Sequence, residues 1–311
     1  MELTAQSLVD LEIQDRFDVI KEIGRGKYGR VLLVTHRCRG TPMALKVMPK
    51  ASTQLQSFLR EYCISLHVSS HPCIVGLFGI VFRSNEHYCF AQELVIGRDL
   101  FAVIQPKVGI PETWVKRCAL QISSALEFIH SRGLVHRDVK PENVLLLDTR
   151  CCRVKLADFG LAQRRGAFIR FISGTLPYSA PELCARVLQE GRVNAPPLRV
   201  EPSLDTWAFG VLLFCILTGY FPWEACSEQD DYYQEWSEWN ALQMFRRLLA
   251  VESERRSSVS EVQAYVQQDW LKQATPTDQA PPTVTSPDLT PPTTTNKAPP
   301  TETSSCSHSE K

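Results

Sequence analysis

The residues best suited to chemistry in this chain lie in one stretch, residues 136–160. Within it, Asp138, Asn143 and Asp158 supply carboxylate and amide oxygens, and Lys140 supplies an ammonium group. Oxygens of this kind are hard ligands for Mg²⁺, which usually binds through one or two carboxylates together with substrate phosphates. A further carboxylate that is not needed as a ligand is free to accept a proton. The stretch therefore predicts a magnesium ion and a proton acceptor in one site.

A predicted β-hairpin brings these side chains together. The apolar run Val144–Leu147 and the segment Val154–Leu156 predict two strands, and the polar residues 148–150 predict the turn between them. Because the two ends of such a hairpin lie side by side, we expect the two aspartates and the asparagine to converge on one small volume.

The stretch resembles the protein kinase family, and the resemblance runs from about residue 17 to about residue 272. It is carried by His136-Arg137-Asp138, Asn143 and Asp158-Phe159-Gly160, in that order. Each fragment alone is weak evidence, because an isolated Asp-Phe-Gly is a common turn with a buried aromatic residue. Together, with a strand-forming run between them, the fragments indicate a kinase catalytic loop.

The resemblance implies an α+β fold with two lobes, a small β-rich N-lobe at about 17–95 and a larger helical C-lobe at about 96–272, preceded by a lead-in at 1–16. It implies that Asp138 is the catalytic base that receives the substrate hydroxyl proton and that Asn143 and Asp158 hold the metal ions. It also implies that Lys140 faces the transferring phosphoryl group. Lys140 further indicates that the substrates are serine or threonine residues.

A glycine-rich segment near the beginning is a candidate phosphate site. It reads Ile23, Gly24, Arg25, Gly26, Lys27, Tyr28, Gly29, Arg30 and Val31. Glycines let backbone N–H groups approach phosphate oxygens without interference from a Cβ atom. The dinucleotide-binding fingerprint has the same pattern, but it should open a helix after its third glycine. Here residues 31–35 continue as a β-branched strand, which favours a hairpin over the phosphates of ATP, as in kinases.

A lysine in a predicted strand supplies a second charged group. Lys46 lies within Met43–Val47, and a buried lysine needs an anionic partner. Glu61, in a helical pattern, is the only acidic residue between Lys46 and Glu86. The sequence therefore predicts a Lys46–Glu61 pair, which the resemblance implies would hold Lys46 on the α- and β-phosphates; the alternative is two ordinary surface charges. Ser65 is polar where kinases usually pack an apolar side chain.

The resemblance also assigns an adenine site. The C=O of Glu93 and the N–H of Val95 would hydrogen-bond adenine at the hinge between the lobes, while Val31, Ala44 and Leu145 would hold the ring between them. The cofactors implied are ATP and Mg²⁺.

Two helices are expected to build the C-lobe. Apolar residues at steps of three and four predict an amphipathic helix over 112–132, and the all-round apolar run up to Leu217 predicts a buried central helix. The resemblance implies that Arg256 pairs with Glu182. Only 17 residues separate Trp223 from the next predicted helix, which is fewer than kinases generally have, so the C-lobe is predicted to be shortened there.

The segment after Asp158 carries an unusual residue. Phe171 lies four residues before Thr175, where many kinases carry a phosphorylatable residue. We expect apolar docking of Phe168, Ile169 and Phe171 to help order this activation segment, so that no activating phosphate is needed there.

Composition limits the other classes of function. With 34 basic and 34 acidic residues the net charge is zero, so no global field favours nucleic acid or an anionic membrane. The 11 cysteines are scattered in apolar contexts, which suits reduced thiols in a cytoplasmic or nuclear protein. The beginning lacks the layout of a signal peptide. Metal binding by Cys63, His67 and His71 is a weak alternative, since Pro72 would end the helix that they need.

The last 39 residues, 273–311, contain 23 Pro, Thr or Ser residues and predict a disordered tail. A narrower resemblance is to the SH3-domain-binding serine/threonine kinases, carried by segments such as Gly40–Lys46, Gln105–Gly109 and Leu217–Trp223. That family name implies an SH3-domain partner that binds a Pro-x-x-Pro segment, and this sequence contains none.

The sequence thus favours an enzyme that transfers the γ-phosphoryl group of Mg-ATP to serine or threonine hydroxyls of proteins, acting as a monomer. One alternative is a pseudokinase scaffold without turnover, which Ser65 and the shortened C-lobe would favour. Another is a small-molecule phosphotransferase on the same fold. The enzyme is preferred because every catalytic side chain is present.

Overall fold

The N-lobe is built on a six-stranded sheet with the order β1-β5-β6-β4-β3-β2. Its strands are β1 (Val9–Asp10), β2 (Phe17–Gly26), β3 (Gly29–His36), β4 (Pro42–Pro49), β5 (Leu77–Arg83) and β6 (His87–Gln92). Neighbouring strands are antiparallel except β1, which pairs in parallel with β5. This computed structural model describes residues 2–26, 29–169, 176–187, 197–224, 226, 233 and 243–270.

One face of the sheet is covered, as the alternating burial of residues along β3 shows. Leu32, Val34 and His36 are buried, whereas the residues between them are only partly buried, which is the period of two expected of a strand with one covered face. Phe17 and Phe82 stack beneath the sheet with ring centroids 5.8 Å apart. The long helix α3 (Leu55–Val68) packs against the sheet and carries Glu61.

The lead-in before residue 17 has regular structure. It contains α1 (Glu2–Gln6), strand β1 and α2 (Ile13–Arg16), and it adds a sixth strand to the edge of the sheet. The edge strand of the N-lobe sheet therefore comes from the lead-in.

The C-lobe is mainly helical. Its helices are α4 (Glu112–Ser131), α5 (Pro181–Val187), α6 (Ser203–Thr218) and α7 (Gln243–Leu248). Short strand pairs accompany them: β7 (Leu134–Val135) with β10 (Gln163–Arg164), β8 (Val144–Leu146) with β9 (Val154–Leu156), and β11 (Phe168–Ile169) with β12 (Leu198–Arg199). Short 3₁₀ turns lie at Phe101–Val103, Pro141–Asn143, Leu176–Tyr178 and Val259–Tyr265.

Both predicted C-lobe helices are present. Helix α4 occupies the predicted range and buries one face, including Val115, Ile122 and Ile129. In α6, every residue from Leu204 to Leu217 except Phe214 is buried, so this helix forms the centre of the lobe as its composition predicts. The α+β fold with two lobes is confirmed.

Several predictions fall outside the described residues. These are the tip of the glycine-rich segment at Lys27 and Tyr28, the positions Phe171 and Thr175, most of the link after Trp223 and the tail at 273–311. No helix in the part of the chain that the structure describes is both long enough and apolar enough to span a bilayer.

Candidate active site

The predicted hairpin carries the site. Strand β8 pairs with β9 in antiparallel register, Val144 opposite Leu156, and β8 ends one residue earlier than the sequence predicts. Asp148 closes the turn by accepting hydrogen bonds from the N–H groups of Arg150, Cys152 and Arg153 at 2.7–3.0 Å. These hydrogen bonds from the Asp148 side chain to backbone N–H groups fix the conformation of the turn, and so the position of β8 relative to β9.

Asp138 is held by two of the predicted side chains. The amide nitrogen of Asn143 donates to the backbone O and to Oδ2 of Asp138, each at 2.8 Å, and Lys140 Nζ lies 3.0 Å from the same Oδ2. The Asn143 nitrogen is thus committed to Asp138, and the amide oxygen is the atom that can bind a cation. Asp138, Lys140 and Asn143 therefore lie together at one end of the hairpin.

Asp158 lies at the other end of the hairpin. The N–H of Ala157 donates to the backbone O of Asn143 at 2.8 Å, which joins the two ends. Asp158 has φ +61, in the left-handed region that a non-glycine residue adopts only at a cost, and such residues cluster at functional sites. A Cβ at Gly160 would lie 3.1 Å from Asp158 Oδ1, so a side chain at this position would require the Asp158 carboxylate to shift.

Lys46 connects the two lobes. Its Nζ lies 2.5 Å from Glu61 Oε1, so the predicted Lys46–Glu61 pair is present. The same Nζ lies 3.1 Å from Asp158 Oδ1, a contact that the sequence did not predict. Lys46 and Glu61 are largely buried, with side-chain exposures of 12% and 4%, which excludes the alternative of two surface charges.

The charges of Lys46, Glu61 and Asp158 depend on one another. Burial disfavours the ammonium form of Lys46, but the carboxylates of Glu61 and Asp158 outweigh it and raise the pKa of Lys46. Burial would likewise raise the pKa of Asp158, but the Lys46 ammonium and the Gly160 N–H hold it below its usual value. Lys46 and Asp158 therefore form a charged pair at neutral pH.

The described residues of the glycine-rich segment lie at the end of β2 and the beginning of β3. Gly24 pairs with Val31, Arg25 with Arg30 and Gly26 with Gly29, and Ile23 precedes them in β2. The strand after the third glycine is β3, so the chain does not follow the dinucleotide-binding pattern. A Cβ at Gly29 would lie 2.4 Å from the backbone O of Val47, which explains why glycine is needed there.

The residues predicted to surround adenine come from both lobes. Val31 in β3 is opposite Lys46 in β4, and Ala44 lies two residues before Lys46, so all three side chains share one face of the sheet. Leu145 in β8 lies beside the chain that follows the hinge, because Leu100 N–H donates to Val144 O and Leu146 N–H donates to Arg98 O.

The hinge itself contains an unpredicted contact. Glu93 Oε2 accepts from the Gly76 N–H at 3.0 Å and lies 2.9 Å from Lys155 Nζ in β9, while Val95 follows two residues later and is partly buried. The Glu93 side chain thus ties the hinge to the C-lobe hairpin.

Asp205 in α6 positions the catalytic loop, and the sequence reasoning assigned it no role. Its carboxylate accepts hydrogen bonds from the N–H groups of His136 and Arg137 at 2.8 and 2.7 Å, and His130 Nε2 lies 2.8 Å away. Arg137 has φ +68, and these bonds hold its backbone in that conformation. The available signal was a charged residue at the beginning of a helix predicted to be buried, which requires partners.

The activation segment differs in part from its prediction. Ile169 is buried against Val135 and Val200, as expected, whereas Phe168 is 68% exposed, so the prediction that Phe168 docks is wrong. Successive strand residues point to opposite faces, and the pairing of β11 with β12 turns Ile169 inward. Phe171 lies outside the described residues.

The predicted Arg256–Glu182 pair is confirmed. It has two parallel contacts, Nη1 to Oε1 at 2.9 Å and Nη2 to Oε2 at 3.0 Å. The alternative metal site has no support at His71, since its Nε2 lies 3.2 Å from Ser124 Oγ and its Nδ1 accepts from the Cys73 N–H.

Comparison with known proteins agrees with this geometry. The protein kinase domain family matches residues 17–277. Serine/threonine-protein kinase SBK1 of Danio rerio is 48% identical over 289 residues, which cover 88% of this chain and 74% of that protein. Serine/threonine-protein kinase SBK2 of Homo sapiens is 45% identical over 290 residues, covering 87% and 82%, and that of Rattus norvegicus is 45% identical with 87% and 78% covered. The chain belongs to the protein kinase family, and it is a serine/threonine-protein kinase.

Proposed function

We propose that this kinase binds ATP with Mg²⁺ between its lobes and transfers the γ-phosphoryl group to serine or threonine residues of proteins through the residues described above. Protein kinases generally use ATP and Mg²⁺. The observation that carries the proposal for this chain is the contact of Lys46 with both Glu61 and Asp158, since it joins residues 112 positions apart and both lobes.

The donor set fits a hard cation. Asp158 is 41% exposed, and its carboxylate and the amide oxygen of Asn143 are oxygen ligands of the kind that Mg²⁺ prefers. When bound, Mg²⁺ would neutralise negative charge on the phosphates. Asn143 and Asp158 would hold it.

Asp138 would accept the proton of the substrate hydroxyl. Asn143 and Lys140 both contact Oδ2, so we assign Oδ1 as the oxygen that takes the proton. Lys140 would place its ammonium group near the transferring phosphoryl group and stabilise the charge that spreads over it. Lys46 would hold the α- and β-phosphates, with Glu61 fixing its direction. The catalytic gain would thus come mainly from positioning and charge neutralisation.

The nucleotide would lie between the β2–β3 hairpin and β8. The backbone of residues 23–31 would cover the phosphates, and Val31, Ala44 and Leu145 would enclose adenine. Glu93 C=O and Val95 N–H would fix its edge by hydrogen bonds. Only the backbone of Glu93 is needed for this, so its side-chain contact with Lys155 and binding of adenine are compatible.

The remaining features of the function rest on composition. We propose that the kinase acts as a monomer in the cytoplasm or nucleus, where its scattered cysteines would stay reduced. We further propose that it binds neither nucleic acid nor a membrane surface, because its net charge is zero. We assign it no SH3-domain partner, since the sequence contains no Pro-x-x-Pro segment. The kinase domain is proposed to span 17–272.

Incubation with labelled ATP and a degenerate peptide library tests this assignment. The wild-type chain should label serine or threonine peptides, and Asp138→Asn should lower kcat by roughly 10²–10⁴-fold, the usual worth of a positioned general base. Asp18→Asn, a change at an exposed residue in the N-lobe, is the matched control and should leave kcat unchanged.

Each contrary outcome identifies a different error. Equal activity of Asp138→Asn and wild type would remove Asp138 as the base. ATP binding without labelling of any peptide would favour the pseudokinase alternative, which neither the comparisons nor the site geometry supports. Labelling of small alcohols but not peptides would favour the small-molecule phosphotransferase.

A further inference from the structure

The segment before the family match lies on the helix that carries Glu61. Residues 2–12, here called the N-terminal strap, precede residue 17, at which the protein kinase domain match begins. They contain α1 and β1, and they reach both α3 and β5. The strap is therefore an addition to the kinase domain that contacts a part of its site.

The strap contributes apolar side chains to the core beneath α3. Leu8 is 7% exposed and belongs to a cluster with Met48, Phe90 and three residues of α3, namely Phe58, Leu59 and Tyr62. Ala5 packs against the same cluster. Thr4 Oγ1 lies 3.7 Å from Cys63 Sγ, on α3. The strap thus covers the residues on both sides of Glu61.

A second set of contacts fixes the strap to the edge of the sheet. Val9 pairs in parallel with Phe82, and the N–H of Leu11 donates to the backbone O of Arg83 at 2.9 Å. Asp10 and Arg83 form a two-point ion pair with distances of 2.6 and 2.9 Å. These bonds give the strap a defined register relative to β5, so Leu8 is held beneath α3.

Helix α3 depends on packing for its position. It has 14 residues, and its N-cap, Gln54, makes no side-chain capping hydrogen bond. Helices of this length are marginal alone, and most of their stability comes from a packed apolar face. Loss of one apolar side chain from the cluster around Leu8 would therefore allow α3, and Glu61 with it, to move away from Lys46.

We propose that the N-terminal strap binds the groove between α3 and β5 and positions Glu61 for its contact with Lys46. Leu8 is the central positioning residue, and the occupant of the groove is this segment of the same chain. The inference rests on the proposed role of the Lys46–Glu61 pair in holding ATP. It predicts that kinase activity depends on a segment that lies outside the family match.

Two neighbouring substitutions in the full-length chain separate positioning from nonspecific damage. Leu8→Asp places a charge in the buried cluster, whereas Val9→Asp makes the same change at a side chain that is 59% exposed. Leu8→Asp should lower kcat/KM for ATP by roughly 5- to 150-fold, the range typical of coupling between two sites. Val9→Asp should remain close to wild type.

Hydrogen exchange provides a readout that does not depend on activity. Amides of α3 should exchange faster in Leu8→Asp than in Val9→Asp, while those of β3 and β4 should remain protected in both. A purely structural role would instead raise exchange throughout the N-lobe. If wild type itself phosphorylates no peptide, the proposed function fails, but the exchange comparison still tests the strap.

A covalent tether tests rescue. Thr4→Cys adds a thiol beside Cys63, and diamide oxidises the two thiols to a disulfide while its N=N bond takes up the two hydrogens. In the Leu8→Asp background this disulfide should restore most of the lost activity. Reduction of the disulfide by dithiothreitol should lower the activity again. The same variant with Cys63→Ser, treated in parallel, should not recover.

Two results would overturn the proposal. One is equal activity and equal α3 exchange in Leu8→Asp and Val9→Asp. The other is a tethered protein, shown by mass spectrometry to contain the disulfide, whose activity and α3 exchange do not return toward wild type. If Leu8→Asp does not fold, Thr4→Cys alone serves: its oxidised form should protect α3 further, and unchanged exchange would also overturn the proposal.

Discussion

At the scale of single residues, the site depends on side chains with more than one partner. Lys46 contacts carboxylates from α3 and from the C-lobe hairpin, and Oδ2 of Asp138 receives both Asn143 and Lys140. Removing any one of these side chains would therefore change the charge state or the orientation of the side chains that contact it. Under the proposed function, this sharing would let a few residues hold a triphosphate and a hydroxyl group in one geometry.

Asp205 gives a prediction that pH can test. Burial alone would raise the pKa of its carboxyl group, but hydrogen bonds from His130 and the Arg137 N–H hold the pKa below the usual 3.8. The ionised group therefore stabilises the fold above the unfolded value of 3.8, and this stabilisation is lost as the pH falls through the lower pKa of the folded state. Asp205→Asn should lower the free energy of unfolding at pH 7 by about 1.5–3 kcal/mol, the worth of a hydrogen bond to a charged group.

Urea unfolding at a series of pH values measures this effect. The wild-type free energy of unfolding should fall with pH below 3.8, and the fall should be smaller in Asp205→Asn. Asp18→Asn, at an exposed position, should retain the wild-type dependence. Identical pH dependence of wild type and Asp205→Asn would contradict the assignment.

Residue types and spacing predicted some of these contacts and not others. The Lys46–Glu61 pair could be predicted because a buried lysine needs an anion and Glu61 is the only acidic residue nearby in sequence. The contacts of Asp205 could not, since its partners are backbone N–H groups 68 and 69 residues earlier that carry no signature in their residue types. Tertiary backbone contacts of this kind require the fold.

At the scale of elements, the activation segment is anchored by strand β12, which lies in the link between α5 and α6. Strand β11 pairs with β12, and the N–H of Gly166 donates to Val200 O at 2.7 Å. Glu201 lies between two arginines, with Arg165 Nε at 2.7 Å and Arg199 Nε at 3.1 Å. These contacts hold the beginning of the segment against β12.

The anchor predicts different effects at two neighbouring residues. Ile169→Asp places a charge against Val135, next to the catalytic loop, and should lower kcat about tenfold or more, since burying an unpaired charge is costly. Phe168→Asp, at a position 68% exposed, should retain the wild-type kcat. Steady-state assays on unphosphorylated protein from bacteria measure both, and the wild type should already be fully active there.

A strict requirement for phosphorylation by another kinase would contradict this anchor. So would equal kcat values for Ile169→Asp and Phe168→Asp. The strand register, which decides which of the two residues faces the core, could not be predicted from the sequence, because either residue suits a two-residue strand. The ordered structure of residues 2–16 was missed for a similar reason, since partners such as Phe82 and Arg83 lie about 70 residues away.

At the scale of the whole molecule, the periodic patterns were the most reliable predictors. The apolar stripe of α4 and the all-round apolar composition of α6 each predicted a helix that the structure contains, because these patterns arise from the lobe's own core. The lobes are joined by apolar packing, since Val68 and Ile74 of the N-lobe belong to the main hydrophobic cluster of the C-lobe, and also by polar contacts. Lys46 contacts Asp158, Glu93 contacts Lys155, and the N–H of Val75 donates to Leu156 O at 3.0 Å.

A polar side chain also connects several elements of the C-lobe near the end of the activation segment. Arg256 has no exposed side-chain surface, and besides Glu182 it donates to the backbone oxygens of Ser203, Ala250 and Val251 at 2.8–3.1 Å. Its guanidinium also lies 5.0 Å from the centroid of the Trp207 ring. One side chain therefore connects α5, α6 and the segment after α7.

Loss of this connection should affect both stability and substrate binding. Arg256→Met leaves Glu182 without its partner, and breaking a buried pair in this way costs about 3–5 kcal/mol of the free energy of unfolding. Arg256→Lys should retain only part of this free energy, because a lysine cannot make the two parallel contacts with Glu182. Since α5 follows the activation segment directly, KM for the peptide should rise while KM for ATP stays nearly constant.

Urea unfolding and initial-rate assays at saturating ATP measure the two effects. The control is Arg37→Met, which breaks an exposed pair with Asp18 and should cost no more than about 1 kcal/mol. Glu182→Gln combined with Arg256→Met should lose less than the sum of the single changes, because the two side chains share one interaction. Additive losses, or equal rises in both KM values, would show that the pair does not connect the activation segment to the rest of the C-lobe.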